Sequence, residues 1–138
     1  MMNRRFFLAA SYATLATPMS ALAAERVFYT PGLAEAALKA GNVVFLDFWT
    51  NWCSTCAAQE RVISDLRRGN PGYDKKITFI TVDWDAYGNG DLARKLGIPR
   101  RSTLVALKGD AEIGRIVAGT KKANIKALMD AALASAQG

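Results

Sequence analysis

Two thiols are the side chains in this sequence best suited to chemistry. Cys53 and Cys56 are the only cysteines, and they stand two residues apart in the segment DFWTNWCSTCAAQE. At this spacing two thiols can alternate between dithiol and disulfide, contribute half of a metal site, or form a short crosslink. A crosslink across so short a loop restrains the unfolded chain little, so a purely structural disulfide would add little stability. Redox exchange is the favoured interpretation.

The composition removes several competing chemistries. The 138 residues contain no histidine, which excludes Cys-His and Ser-His-Asp nucleophile systems and His-based metal sites. A structural zinc ion takes about four Cys or His ligands, and one chain offers two, so we expect no metal within a monomer. Two cysteines are also too few for a disulfide framework, so a hydrophobic core must hold the fold.

The elements that position the thiols are a buried strand and the helix after it. The run VVFLDFW over residues 43–49 is almost continuously apolar, which is typical of a strand covered on both faces. A helix is predicted from Cys53 to Arg68. Cys53 then lies at the helix N-terminus, where free N–H groups and the helix dipole favour the thiolate, so it is the predicted nucleophile. Cys56, one turn further and deeper, is the predicted resolving thiol.

The remaining pattern predicts one α/β domain. Strands alternate with helices and end in a hairpin, which favours a single mixed sheet with helices on both faces. The predicted elements are an edge strand over 26–29, a helix from Thr30 to about Ala40, a strand over 77–82, a helix over 91–96, hairpin strands over 103–107 and 112–117, and a last helix capped by Thr120 with Ile125, Leu128, Met129 and Ala132 on its buried face.

This order, with the cysteine pair where a central strand turns into a helix, resembles the thioredoxin fold over residues 24–138. The segment DFWTNWCSTC is similar to that family's active site. The resemblance implies a thiol–disulfide oxidoreductase that works through a Cys53–Cys56 disulfide and needs no other cofactor. The segment CSTCAAQERVISDL is most similar to the periplasmic thioredoxin-like domain of the bacterial transmembrane thiol–disulfide interchange reductase. That similarity implies protein disulfide substrates and a membrane electron donor; we expect a monomer.

One acid lies within the predicted central strand. Asp47 is flanked by apolar residues, and burial would raise the pKa of its carboxyl group. The resemblance implies that Asp47 lies beneath the cysteines and moves protons to and from the resolving thiol Cys56. The alternative is that Asp47 occupies an exposed strand end.

The sequence departs from the family at the proline that faces the cysteines. Ser102 stands where thioredoxin-like proteins carry a cis-proline, and Thr103 follows it. A cis bond before a non-proline residue costs about 3–4 kcal/mol, so we predict a trans Arg101–Ser102 bond and a Ser102 hydroxyl able to bond a sulfur. An alternative alignment makes Pro99 the cis-proline. Arg101, Ser102, Thr103 and Trp52 are the predicted substrate contacts.

Two further features concern the reduction potential of the cysteine pair and the roles of the tryptophans. Ser54 and Thr55 replace both the Gly-Pro of ordinary thioredoxins and the Pro-His of the strongly oxidising periplasmic enzymes. Without a histidine between the cysteines, an extreme oxidant is disfavoured. Trp49 is predicted to shield the site with Trp52, with core packing as its alternative, and Trp84 is predicted to pack.

The first 23 residues predict a cleavable export signal. Arg4 and Arg5 precede the apolar run FFLAASYATLA, and Ala21-Leu22-Ala23 offers a cleavage site, so the mature chain would start near Ala24. The run is shorter than the roughly 20 residues that span a bilayer. NRRFFL resembles a twin-arginine signal; a general secretory signal and an uncleaved tether are the alternatives. The predicted location is the periplasm.

The charge and the remaining alternatives complete the prediction. Without the two arginines of the signal, 16 basic residues face 12 acidic ones, a net charge of +4. The cations are dispersed or paired, so we expect no nucleic-acid partner. Three other functions stay open: a thiolate module for copper or an iron–sulfur cluster, a thiol oxidase or isomerase, and a scaffold that binds without turnover.

Overall fold

A computed structural model describes residues 26–137. The predicted export signal over residues 1–23 and the predicted mature start at Ala24 therefore lie outside the described residues. Over residues 26–137, none of the helices has the length and apolar character needed to cross a membrane.

In the described part of the chain, the sheet has four strands in the order β2-β1-β3-β4. β1 (Val43–Trp49) pairs in parallel with β2 (Ile77–Asp83) and antiparallel with β3 (Thr103–Lys108), and β3 pairs antiparallel with β4 (Ala111–Val117). The predicted mixed sheet is confirmed. The predicted edge strand over 26–29 is reduced to one parallel bridge between Phe28 and Thr81, because only two backbone hydrogen bonds join this segment to β2.

Within residues 26–137, six helices surround the sheet: α1 (Leu33–Lys39), α2 (Ser54–Gly69), α3 (Gly72–Lys76), α4 (Trp84–Tyr87), α5 (Asp91–Leu96) and α6 (Lys122–Gln137). α1 begins after Gly32, which has a φ of 93° and is the N-cap in place of Thr30. The first helical hydrogen bond of α6 runs from the N–H of Ile125 to the carbonyl of Lys121. The N-cap position is therefore Lys121, and not Thr120 as the sequence had predicted. The sequence analysis missed the short helices α3 and α4, which have too few turns to show a period.

Alternation along β1 separates the two layers of the core. Val44, Leu46 and Phe48 face a cluster that includes residues of α1 and α5. Val43 and Phe45 face the other cluster, which is built from residues of α2, α3 and α6. Because successive strand residues point to opposite faces, Asp47 shares the face of Val43 and Phe45. The carboxyl group therefore lies on the α2 side of the sheet.

Candidate active site

The sulfur of Cys53 caps α2. Cys53 has extended backbone angles, and its Sγ accepts a hydrogen bond from the backbone N–H of Cys56 at 3.1 Å. N-cap positions usually hold Ser, Thr, Asp or Asn, whose oxygens accept this bond. Cys53 is 6% exposed and Cys56 is completely buried, and both are free thiols. Cys53 is thus the outer sulfur and Cys56 the inner one, as the helix geometry predicted.

The two thiols differ in acidity. Burial would raise the pKa of Cys53, but hydrogen bonds from the Cys56 thiol, the Ser102 hydroxyl and the Cys56 N–H lower that pKa from 9.0 to about 7. Burial, together with the neighbouring Cys53, raises the pKa of Cys56. A single proton lost from the pair therefore leaves a thiolate at Cys53.

Ser102 lies against both sulfurs. Its Oγ is 3.1 Å from the Sγ of Cys53 and 3.1 Å from the Sγ of Cys56. Ser102 is completely buried and has a φ of 63°, a left-handed conformation that side chains with a Cβ rarely adopt. Residues 26–137 contain no cis peptide bond, so the predicted trans Arg101–Ser102 bond is confirmed and the alternative of a cis-Pro99 is wrong.

The backbone of Ser102 has no free hydrogen-bonding group. Its N–H donates to the carbonyl of Phe48 at 2.6 Å, and its carbonyl accepts from the N–H of Ala118 at 2.8 Å. The same carbonyl accepts from Nε2 of Gln59 at 2.9 Å. An extended substrate could not pair with this backbone without displacing those bonds.

Gln59 is a site residue that the sequence analysis missed. It is completely buried on α2, and its Nε2 also donates to the carbonyl of Gly119 at 2.9 Å. Its position in the sequence could have indicated this role. Gln59 shares the buried helical face of Cys56, Ile63 and Leu66, where a side-chain amide needs hydrogen-bond partners. Those partners are backbone carbonyls in two distant loops.

Asp47 is buried under α2. It is 8% exposed, and its Oδ1 has no hydrogen-bond partner among residues 26–137. It lines a cavity of about 90 Å³ with Arg26, Glu60 and Thr81 among its neighbours. Burial, opposed by Arg26 and reinforced by Glu60 and Cys53, raises the pKa of Asp47 from 3.8 to about 7. The alternative of an exposed strand end is wrong.

Arg26 is the second missed residue, and it lies beside this cavity. Its guanidinium pairs with Glu60 of α2 and sits 4.7 Å from the centroid of the Trp49 ring. The positive charge therefore comes from the segment before α1, far in sequence from Asp47. Trp49 also packs on Phe28, with ring centroids 5.8 Å apart.

We expect Arg26→Gln to raise the pKa of Asp47 above that of the unchanged protein. The substitution removes the positive charge that lowers this pKa and leaves Glu60, whose charge raises it, without its partner. The carboxyl carbon shift of Asp47, followed by NMR across pH, gives the midpoint directly. Arg94→Gln, which breaks an exposed pair with Asp91, is the control and should leave the midpoint unchanged. An unchanged or lower midpoint in Arg26→Gln would contradict the expectation.

The surface around Cys53 is formed by Trp52 and Arg101. Trp52 is 58% exposed, and its indole N–H donates to Oδ2 of Asp85 at 2.8 Å. The guanidinium of Arg101 lies 4.3 Å from the centroid of the Trp52 ring, and Arg101 helps lower the pKa of Cys53. These contacts restrain the indole of Trp52, the residue before the nucleophile, while much of its surface stays exposed to a partner.

Two other residues singled out in the sequence, Thr103 and Trp84, do not contribute to the surface around Cys53. Thr103 is completely buried, and its Oγ1 donates to the carbonyl of Arg100 at 2.8 Å, so the prediction that it contacts substrate is wrong. Trp84 packs edge-on against Phe48 with ring centroids 6.1 Å apart, which confirms its packing role. Within the described range 26–137, no three side chains of Cys, His, Asp or Glu form a group that could hold a metal ion.

The family profile of thioredoxin matches residues 31–131. The chain belongs to the thioredoxin family. The thioredoxin of Echinococcus granulosus is 30% identical over 97 residues, covering 70% of this chain and 84% of that protein. The mitochondrial thioredoxin-2 of Schizosaccharomyces pombe is 29% identical over 85 residues, and the match covers 62% of this chain but only 59% of that protein.

Solved structures agree on the thioredoxin fold. The thioredoxin of Malassezia sympodialis superposes with a TM-score of 0.61 at 25% identity, covering 79% of this chain and 95% of that one. The Trxlp structure from Edwardsiella tarda gives a TM-score of 0.63 at 23% identity, which supports the fold alone. With the Cys53–Cys56 pair in place, this thioredoxin-family chain is a thiol–disulfide oxidoreductase, as its sequence predicted.

Proposed function

We propose that this thioredoxin-family protein is exported to the periplasm and there reduces disulfides of other proteins, drawing its electrons from a membrane donor. Cys53 is the nucleophile, Cys56 the resolving thiol and Asp47 the proton acceptor and donor. The observation that carries the direction of exchange is the segment between the cysteines, where Ser54 and Thr55 supply no histidine to stabilise the Cys53 thiolate further. The lowered pKa of Cys53, about 7, agrees with this direction.

In the first step the Cys53 thiolate attacks one sulfur of a substrate disulfide. A bond forms between Cys53 Sγ and that sulfur, the substrate S–S bond breaks, and the other substrate sulfur leaves as a thiolate that takes a proton from water. The exposed face of Trp52 and the cation of Arg101 lie beside Cys53, where they can contact the polypeptide around the attacked disulfide.

In the second step Cys56 loses its proton and attacks Cys53 Sγ. The mixed disulfide breaks, and the second substrate sulfur leaves as a thiolate. The substrate has then gained two electrons, and Cys53 and Cys56 have lost two electrons and form a disulfide. Asp47 accepts the Cys56 proton. Its buried, unpartnered Oδ1 and its pKa of about 7 suit a group that both takes up and releases a proton near neutral pH.

Export is supported by the sequence of residues 1–23, with its arginine pair, apolar run and small-residue cleavage site. A periplasmic reductase needs a continuous electron supply, because that compartment is kept oxidising. Fractionation of cells that express the full chain, with mass determination of the mature protein, tests both location and cleavage. Recovery of uncleaved protein in the cytoplasm would contradict the proposal.

The direction of exchange is tested by the equilibrium reduction potential of Cys53–Cys56, measured against glutathione with purified protein. We expect a value near that of thioredoxin, about −270 mV, which makes the dithiol a reductant. A value near −120 mV would instead identify an oxidase and would overturn the proposed direction while leaving the exchange chemistry intact.

A further inference from the structure

The Ser102 hydroxyl is within hydrogen-bond distance of both reacting sulfurs at once. A hydroxyl carries one proton, so it can donate to one sulfur while it accepts from the other. The proline that thioredoxin-like proteins usually carry at this position has no such group. The contact therefore gives this chain a hydrogen-bond donor at the point where the two thiols exchange roles.

We propose that Ser102 is a catalytic residue that donates its hydroxyl hydrogen bond to whichever of the two cysteines is the thiolate, and that Gln59 is the positioning residue that holds it there. The proposal rests on thiol–disulfide exchange at Cys53 and Cys56 and holds for either direction of exchange.

The Ser102 hydroxyl changes its hydrogen-bond acceptor between the two halves of the reaction. In the reduced enzyme the Ser102 O–H donates to the Cys53 thiolate, and the Cys56 S–H lies within reach of both the Cys53 sulfur and the Ser102 oxygen. After Cys53 has formed the mixed disulfide, its sulfur carries no charge, and the O–H rotates to donate to Cys56. The Cys56 proton leaves to a base, and the donated bond stabilises the Cys56 thiolate that then attacks Cys53 Sγ. Ser102 itself neither gains nor loses a proton.

Gln59 explains how Ser102 keeps an unfavourable backbone. A φ of 63° is costly for a residue with a Cβ and persists only where surrounding contacts enforce it. The Gln59 amide donates to the Ser102 carbonyl and to the Gly119 carbonyl, which ties α2 to the loops on either side of the β3–β4 hairpin. Because Gln59 is three residues after Cys56, the helix that carries the sulfurs also holds the hydroxyl.

Four charged side chains lie near the thiols or near Asp47 and would contribute to any pH dependence. Asp47 approaches from β1, Glu60 belongs to α2, Arg101 lies in the loop before β3, and Arg26 pairs with Glu60. None of these is altered when Ser102 loses its hydroxyl. A substitution at Ser102 that shifts the pH midpoint of a thiol therefore reports the hydroxyl itself.

The test is stopped-flow reaction of the reduced protein with 5,5′-dithiobis(2-nitrobenzoate). Cys53 attacks the reagent and releases one coloured thiolate, and Cys56 then attacks the mixed disulfide and releases the second. The first phase reports the Cys53 thiolate and the second reports the Cys56 thiolate. Failure of the unchanged protein to release two thiolates would refute the exchange mechanism under the proposed function, whereas the Ser102 proposal is decided by the pH midpoints of the two phases.

We expect Ser102→Ala to raise the pH midpoint of both phases by about one unit. The lost hydrogen bond stabilises the charged thiolate, and the free energy of such a bond corresponds to a pKa change of about one unit. Ser102→Gly also removes the hydroxyl but accepts the positive φ, so it should show the same shift in a protein at least as stable. Ser135→Ala, which removes an exposed hydroxyl bonded to Ala131 on α6, is the matched control and should leave both midpoints unchanged.

Gln59→Met keeps the side-chain length and removes both amide bonds. We expect it to shift the midpoints in the same direction as Ser102→Ala, and to shift them no further when both changes are combined. Midpoints in Ser102→Ala and Ser102→Gly that match the unchanged protein would overturn the role of Ser102. Additive shifts in the double variant would overturn the positioning role of Gln59.

Discussion

Cys56→Ser is expected to abolish turnover and to leave Cys53 joined to its partners through stable mixed disulfides. Cys53 keeps its place at the N-terminus of α2, with the Ser102 hydroxyl 3.1 Å from its sulfur, so the first attack still occurs. The second attack needs a thiolate at residue 56, and a serine hydroxyl is far too weakly acidic to supply one. The adducts are measured on non-reducing gels of cells that express the full chain, followed by mass spectrometry.

The matched control is Cys53→Ser, which retains the inner thiol. Cys56 is completely buried and burial raises its pKa, so this variant should capture no partners at equal expression. Capture by Cys53→Ser but not by Cys56→Ser would reverse the roles assigned to the two sulfurs. Capture by neither variant would argue against exchange with proteins as substrates.

Asp47→Asn is expected to stabilise the protein above pH 7 and to slow the attack of Cys56 on the mixed disulfide at Cys53. Burial raises the pKa of Asp47 from 3.8 to about 7, so the folded state keeps a proton that the unfolded chain loses between pH 4 and 7. Stability therefore falls as pH rises through this window, by about 4 kcal/mol for roughly three units, and stays low above it. An amide has no charge to bury, so the variant should lose this decline.

Urea unfolding at pH 5 and pH 8 measures the stability effect, which should be a gain of up to about 4 kcal/mol at pH 8. In the two-phase thiol reaction the second phase should slow about a hundredfold at neutral pH, because a positioned proton acceptor is missing. Asp65→Asn, which alters an exposed carboxylate paired with Arg68 on α2, should change neither. A variant with an unchanged pH dependence of stability would show that Asp47 is solvated and would remove its proposed role.

The sequence alone determined the sulfur chemistry and the elements that carry it. β1 was predicted with the bounds observed, because its apolar run spans a strand buried on both faces, and α2 was predicted to within one residue. These signals are local: the spacing of Cys53 and Cys56 and the strand-to-helix turn are fixed by residues adjacent in the chain. The absence of histidine excluded most rival chemistries, because composition does not depend on how the chain folds.

The surroundings of the sulfurs were decided by the tertiary structure. Gln59 reaches Ser102 across 43 residues, Arg26 meets Glu60 beside Asp47, and Thr103 turns inward although it follows a site residue. Such contacts depend on which loops and strands pack together, and no spacing along the chain encodes them. Local periodicity set the positions of the two thiols. Long-range packing completed their acidity: burial raises the pKa of both thiols, and the Ser102 hydroxyl from a distant loop adds to the local hydrogen bonds from Cys56 that lower the pKa of Cys53.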